Sequence, residues 1–333
     1  MSKAEQNKPL VTNIFTADPS ARVFNGKIYI YPSHDLAKDV VDNDNGDQYS
    51  MEDYHVLRMD SLDSECVDCG EVLHENEVEW VSHQMWAPDC ICKNGKYYLF
   101  FPAKDKEGIF RIGVATCDTP DGKFVPEKTE IIGSYSIDPA LLIDDDGRNY
   151  MYCGGLWGGQ LEKWQTGSFV AGDPDMIPGA DGPQGDENAL GPLVGELNDD
   201  MVSLKSPLQH ITILDENGEP LKAKDEDRRF FEDCWIHKYN GKYYLSYSTG
   251  TTHYIVYATS DSPVGPFTYA GRILEPVLGW TTHHSIVEIN GKWYLFYHDC
   301  ELSGGINSRR CVKYCELFYN EDGTIKTITP YDN

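Results

Sequence analysis

The sequence predicts an all-β chain closed into a five-bladed β-propeller, and two observations predict it. The first is an internal repeat written five times: NGKIYIY from Asn25, NGKYYLF from Asn94, DGRNYMY from Asp146, NGKYYLS from Asn240 and NGKWYLF from Asn290. Each copy joins an Asn-Gly or Asp-Gly dipeptide to a run of aromatic and β-branched residues, the pattern of a hairpin turn feeding a buried strand. The copies begin 69, 52, 94 and 50 residues apart. That spacing is too uneven for a stacked solenoid but suits a ring whose loops vary. The second is an echo: ATCDTPDGKF from Ala115 and ATSDSPVGPF from Ala258 each follow a repeat by about twenty residues, where another strand of the same blade and its outgoing turn belong.

The strand before each repeated turn is expected to be the innermost of its blade. The long gap between Gly159 and Arg229 is expected to carry outer strands of the third blade and loops over one mouth of the ring. No Pro/Gly/Ser-rich linker or charge tract divides the 333 residues, so residues 1–333 read as a single toroidal domain, the first ~12 forming an arm or closing segment.

Composition narrows the partners. A formal charge of −26, from 28 Lys and Arg against 54 Asp and Glu, would repel a polyanion, so nucleic acid is not expected and a small neutral ligand is. Twenty-one Tyr and seven Trp suit β-rich blades and also a sugar-stacking surface. The start, MSKAEQNKPLVTNIF, has no apolar stretch of signal-peptide length and nothing later approaches a membrane span, so a cytoplasmic chain without membrane contact is expected. Of ten cysteines, Cys66 and Cys69 have C-x-x-C spacing without a second such pair. No cysteine zinc site is therefore expected, and the thiols read as free, partly buried small hydrophobes.

Near the start of each inner strand stands an ionisable side chain. Asp18 precedes the first repeat by seven residues, Asp89 the second by five, Asp138 the third by eight, Glu232 the fourth by eight, and His283 with His284 the fifth by seven and six. Inner strands of a propeller converge on the axis, so these residues, remote in sequence, should meet at one mouth of the channel. Carboxylates gathered in a low-dielectric pit have their pKa values driven apart, one becoming an acid and another a base. That is the requirement of glycoside hydrolysis, a reaction that needs no organic cofactor.

Individual positions differ in weight. Asp18 and Asp138 each open an Asp-Pro pair, which by itself marks only a turn. Glu232 has Phe230, Phe231 and Trp235 as neighbours, an apolar setting that raises a carboxyl as a general acid requires. Asp89, beside Trp86, either holds the channel wall or binds a sugar hydroxyl. His283 and His284 point to opposite sides if they lie on a strand, so one of them faces the axis. The acidic run Asp144–Asp146 lacks calcium-loop spacing and reads as a solvated turn. GGLWGG from Gly154 is no phosphate loop; its glycines let backbone approach the mouth, with Trp157 as a stacking platform.

With these residues in view the chain resembles glycoside hydrolase family 43, from about Phe15 to Tyr319, through ADPSARVFNGKIYIYPSHD, MWAPD, IDPALLIDDDG, FFEDCWIHKYNGKYYLSYSTG and HHSIVEINGKWYLFYHD in order. The resemblance implies an inverting pentose hydrolase, with Asp18 as general base, Glu232 as general acid and Asp138 tuning the acid. Inversion implies base and acid roughly 6.5 to 9.5 Å apart, leaving room for water. It also implies calcium on the propeller axis near His283, and a substrate-reaching arginine in NSRRCVKYCEL, aligned at Arg310 with Arg309 as fallback. The implied substrates are small xylo- or arabinoxylo-oligosaccharides trimmed at a terminal β-D-xylose or α-L-arabinofuranose, with Trp86, Asp89, Trp157 and Arg310 as substrate contacts. An arabinan-directed enzyme and a propeller that only binds sugar stay open as alternatives, as does the oligomeric state.

Overall fold

The computed structural model describes residues 6–38, 40–171 and 182–331, and it builds five blades, antiparallel apart from one two-residue outer strand, around one axis. Blade I is β1 (Phe15–Phe24), β2 (Lys27–Asp35), β3 (Asp53–Met59) and β4 (Val67–His74), hydrogen-bonded in that order. Blade II comprises β5 (Val81–His83), β6 (Asp89–Lys93), β7 (Lys96–Asp105), β8 (Phe110–Cys117) and β9 (Val125–Pro126), with β6 and β5 both pairing with β7. Blade III is β10 (Ala140–Ile143), β11 (Asn149–Cys153), β12 (Leu193–Leu197) and β13 (Gln209–His210). Blade IV holds β14 (Ile213–Leu214), β15 (Glu232–Tyr239), β16 (Lys242–Ser248), β17 (Ile255–Ser260) and β18 (Phe267–Leu274), and blade V β19 (His284–Ile289), β20 (Lys292–Asp299) and β21 (Cys311–Leu317).

The repeated dipeptides make the turns between the first two long strands of each blade. Asn25, Asn94, Asn240 and Asn290 have φ of 51°, 54°, 49° and 53°, and the glycine after each has φ of 77° to 79°. Two consecutive positive φ values are the geometry of a type I′ turn, whose twist matches the flanking strands and which Asn-Gly adopts at low cost. The strand before each turn is innermost: β1 packs on β6 and β19, β6 on β10, β10 on β15, and β15 on β19, so the five inner strands close a ring. β8 and β17, which carry the two echoes, pair with the strands of their repeats in blades II and IV.

The ring closes through its N-terminal segment. The Asn7 N–H donates to Tyr314 O at 2.8 Å and the Leu10 N–H to Val312 O at 2.9 Å, so this segment supplies the outer edge that β21 would otherwise expose. The gap after Gly159 divides between two blades. β12 and β13 complete blade III as expected, but β14 runs parallel to β18 on the outside of blade IV. Residues 172–181 of that gap lie outside the described residues.

One polar staple ties the inner strands together. Asp89 on β6 takes Arg22 of β1 through both oxygens at 3.1 and 2.5 Å, accepts Ser20 Oγ at 2.5 Å, and accepts the Leu141 N–H of β10 at 2.7 Å. The Arg22 guanidinium lies 4.4 Å from the centre of the Trp235 ring on β15. Four blades thus meet on one ion pair, buried where an unpaired charge would be costly. All ten cysteines are free, as expected.

Candidate active site

At one mouth of the ring lies a cavity of about 240 Å³ whose walls include Asp18, Asp138, Glu232, His283 and Arg310. The expected convergence therefore occurs for the three carboxylates, one of the two histidines and the arginine.

Asp18 sits where β1 departs from regular pairing with β2, between Ala17 and Ser20. Its φ of 48° is the left-handed region, a conformation that costs a non-glycine residue on the order of 1 kcal/mol and that the surroundings must hold. They do so thoroughly. The Asp18 N–H donates to His298 Nδ1 at 3.0 Å, Ser33 Oγ donates to Oδ2 at 2.6 Å, and Arg310 Nη1 donates to Oδ1 at 2.9 Å. Burial pushes this carboxyl up, but the Arg310 guanidinium on Oδ1 outweighs it and holds Asp18 well below the ordinary carboxylate range. Asp18 is an ionised carboxylate.

Arg310 is itself clamped, with Nε and Nη2 donating to Asp35 at 2.9 and 2.7 Å and its backbone N–H to the same carboxylate at 2.9 Å. Its charge also faces the Tyr49 ring, 4.8 Å away. A bidentate fork of this kind suits arginine and not lysine.

Glu232 opens β15, whose pairing with β16 slips between Glu232 and Trp235. Burial, then the charge of Asp18, push its carboxyl up to about 8, only partly offset by Arg310. Asp138, in the loop before β10 with φ of 56°, is likewise pushed well up by burial and by repulsion from Glu232 and Asp18. Its Oδ2 accepts the Asp233 N–H at 2.9 Å. Glu232 and Asp138 titrate as a pair that retains a proton at neutral pH, facing an Asp18 that has none. Two buried carboxyls with opposite ionisation in one pit are the components of acid–base chemistry on a substrate between them.

His283 precedes β19 and enters the cavity, while His284 turns away. His284 Nδ1 lies 2.5 Å from Asp233 Oδ2 and its Nε2 2.6 Å from Ser246 Oγ. Burial holds His283 down to about 3, so it is neutral. Its Nε2 lies 3.0 Å from Asp233 Oδ1, and its Nδ1 faces Asp18 Oδ1 at 3.7 Å and Asp138 Oδ2 at 3.9 Å. A neutral ring nitrogen beside two carboxylate oxygens is a place where positive charge is welcome. These donors could hold a calcium ion only as a largely hydrated one, His283 supplying a single nitrogen where calcium prefers oxygen. They do not form an all-protein cage, since the Asp18 oxygens already serve Arg310 and Ser33, and calcium asks for six to eight oxygens.

Aromatic side chains shape the entrance. Trp157, 41% exposed, stands edge-on to Phe231 with ring centres 5.2 Å apart and 5.9 Å from Trp280. Gly250, at φ 65°, lies under Phe231: a Cβ there would meet the ring at 2.3 Å. Gly155 and Gly159 flank Ile137 in the same way, where added Cβ atoms would come to 2.5 and 2.7 Å. The glycines thus let backbone approach the wall, as the sequence suggested. The lip is continued by the loop between β2 and β3, which contributes Asp42, Asn43, Gly46, Gln48 and Tyr49. Trp86 lines the cavity from below, its indole N–H donating to Tyr49 O at 2.9 Å.

Three expectations need correction. Asp89 is not among the cavity residues; its two oxygens are consumed by the staple of Arg22, Ser20 and Leu141, so of its two readings only the structural one stands. Of the apolar neighbours expected around Glu232, only Phe231 lines the cavity, because Phe230 is in the core and Trp235 turns to Arg22 and donates to Ile286 O at 3.0 Å. The acidic run is only partly a solvated turn, for Asp144 is buried and holds Lys238 at 3.0 Å and Tyr243 at 2.5 Å. Asp35, Ser33, Asp233, His298 and Trp280 went unrecognised in the sequence. Trp280 alone carried a signal, three residues before His283.

A family model described as glycosyl hydrolases family 43 matches residues 8–177 and 180–325. The chain is 62% identical over 326 residues to xylosidase/arabinosidase 43A of Humicola insolens, covering 97% of this chain and 99% of that one. Among solved structures it is similar to a family 43 beta-xylosidase/alpha-arabinofuranosidase from a compost microbial metagenome, in complex with xylotriose and in a calcium-free form. That likeness has a TM-score of 0.97 at 58% identity and covers all of both chains. A family 43 enzyme from Xanthomonas citri complexed with xylotriose matches with a TM-score of 0.91 at 52% identity, over 99% of this chain and 95% of that one.

Proposed function

The chain belongs to glycosyl hydrolases family 43, and on that footing we propose that it cuts terminal pentoses from small neutral xylo- and arabinoxylo-oligosaccharides with inversion at the anomeric carbon. It is an exo-acting glycosidase of the xylosidase/arabinosidase type. The observation that carries the mechanism is the opposite ionisation of Asp18 and Glu232 on the walls of one aromatic-rimmed pit.

In this reading a terminal pentose enters past Trp157 and Trp280 and occupies the pit. Glu232, protonated at neutral pH, gives its proton to the glycosidic oxygen as the bond to the anomeric carbon breaks. Asp18, ionised, takes a proton from a water that attacks the opposite face of that carbon, so one displacement inverts the centre. Asp138, itself pushed up by Glu232 and Asp18, shares the pair's proton with Glu232, and the Asp233 N–H keeps its carboxyl oriented. Arg310 keeps Asp18 ionised and in register with Asp35. Its hydrogen bonds to these two carboxylates make positioning the base its principal task, and its place on the cavity wall leaves it within the substrate's surroundings. No organic cofactor enters. Calcium, if taken up, would be held by His283, and would supply positive charge that favours the ionised forms of Asp18 and Asp138.

Xylose and arabinofuranose offer similar hydroxyls to one pit, and both activities from a single site is the reading we adopt. It is tested by hydrolysis of xylobiose and of the 4-nitrophenyl β-xyloside and α-L-arabinofuranoside by wild type, Asp18→Asn and Glu232→Gln. Wild type should release both sugars, and both variants should lose at least a hundredfold in kcat/KM on xylobiose. Wild-type protein that binds xylo-oligosaccharides but cleaves none of these compounds would remove the catalytic reading.

A further inference from the structure

Away from the pit, blade I carries a second cluster of metal-competent side chains. His34 is the penultimate residue of β2, Asp53 the first of β3, and His55 lies two further along β3, on the same side of the sheet as Asp53. Their donor atoms all lie within 4.8 Å of one another, and the two imidazole rings are 4.7 Å apart at their centres. None of the three lines the catalytic cavity.

The arrangement has what a bare ion-pair array lacks, an outer layer that orients the rings. His55 Nδ1 is held by Asp68 Oδ1 at 2.9 Å, and Asp68 is fixed in turn by Asn13 Nδ2 and the Gly70 N–H, each at 2.9 Å. That leaves Nε2 of His55 as the free donor, in the carboxylate–imidazole–metal order common in metal sites. His34 Nδ1 and Asp53 Oδ1 meet at 2.6 Å. The four side chains are only 13% to 15% exposed, sheltered enough to exclude most competing water and open enough for an ion to enter.

We propose that His34, Asp53 and His55 form a binding site for one divalent transition metal of the zinc class, with Asp68 as the outer-shell partner of His55. Two imidazoles and one carboxylate are the ligand types of zinc, which bonds nitrogen and oxygen at ~2.0–2.2 Å, and they are poor ligands for calcium, which takes six to eight oxygens. Binding would draw together donor atoms that now lie within 4.8 Å of one another. The net charge of −26 draws cations toward the surface. The site also has a structural consequence. His34 and Asp53 stand at the two ends of the loop whose middle forms one lip of the catalytic cavity, so a metal there would reinforce a loop base that the Leu36 N–H to Ser50 O bond at 3.3 Å already closes. Cysteine spacing gave no hint of it, because the ligands come from paired strands and not from a local motif.

The test uses the full chain stripped with chelator and dialysed against Zn²⁺ alone. Wild type and His283→Asn should retain one equivalent that His34→Asn and His55→Asn lose, which separates this site from the histidine in the pit. Co²⁺ in wild type should give the visible bands of a low-coordinate nitrogen and oxygen site, absent in His55→Asn. Zn²⁺ should also raise the Tm of wild type and leave that of His55→Asn unmoved. Wild type that takes up no zinc overturns the proposal, as does equal uptake by wild type and a folded His55→Asn. If either histidine variant fails to fold, Asp53→Asn supplies the comparison with the same two outcomes.

Discussion

Glu232→Gln should make the protein more stable while disabling it, and the gain should grow with pH. Glu232 ordinarily titrates near 4.5 and is pushed up to about 8 in the folded chain. Between those values the unfolded chain has released a proton that the native state still holds, so native stability falls as pH rises, by ~1.4 kcal/mol per pH unit from this group. At pH 7 the accumulated penalty is on the order of 3 kcal/mol, and it stops growing once pH passes the folded value. Glutamine is neutral throughout and nearly the same shape, so the variant escapes the penalty. The difference in unfolding free energy between Glu232→Gln and wild type should be small at pH 4.5 and rise to on the order of 3 kcal/mol at pH 7. For a chain of this length that is roughly 5 °C in Tm. Urea unfolding of both proteins at several pH values measures it; titrations of groups away from Glu232 cancel in the difference, while that of Asp138, which the Glu232 charge pushes up, adds to the gain. A gap that stays constant from pH 4.5 to pH 8 would show that Glu232 is an ordinary carboxylate and would remove the proposed acid.

The pH profile of wild-type kcat/KM on xylobiose should be bell-shaped, with its alkaline limb near pH 8 from Glu232 and its acid limb below the ordinary Asp value of 3.8 from Asp18; an alkaline limb below pH 6 would contradict the assignment. Arg310→Lys loses the fork on Asp35 and loosens the hold on Asp18, so kcat/KM should fall at least tenfold and the acid limb should move upward. An unmoved acid limb in an active Arg310→Lys enzyme would show that Arg310 does not govern the base. Asp89→Asn strips the charge from the staple and leaves Arg22 unpaired, a loss of about 3 kcal/mol in stability with KM for xylobiose unchanged. A raised KM at wild-type stability would return Asp89 to the substrate.

The parts of the fold written in local code were legible in the sequence. The I′ turns at Asn25, Asn94, Asn240 and Asn290 need two adjacent residues tolerant of positive φ, and Asn-Gly announces that without any knowledge of distant contacts. The pit was legible for a related reason: each wall residue stands at a nearly fixed distance before its turn, and inner strands converge. The phase argument failed at Asp89, which stands five residues before its turn where Asp138 and Glu232 stand eight, and so meets the neighbouring strands deeper in the channel. Asp35 and His298 were hidden because they act through pairings such as Asp35 with Arg310, made only when the ring closes across 275 residues, and Ser33 because a lone serine on β2 carries no mark of its bond to Asp18 across the hairpin. The residues alone left His283 and His284 open, with only the family resemblance favouring His283, because the choice depends on Asp233 and Ser246 capturing His284. β14 was missed because two residues joining the next blade's edge carry no periodicity.

The measurement closest to the centre of this account is the anomeric form of the first xylose released from 4-nitrophenyl β-D-xyloside, followed by proton NMR before mutarotation. A single displacement by water, with Asp18 as base and Glu232 as acid, releases α-xylose first. First-formed β-xylose would mean a covalent intermediate, and Asp18 could not then be the base described here.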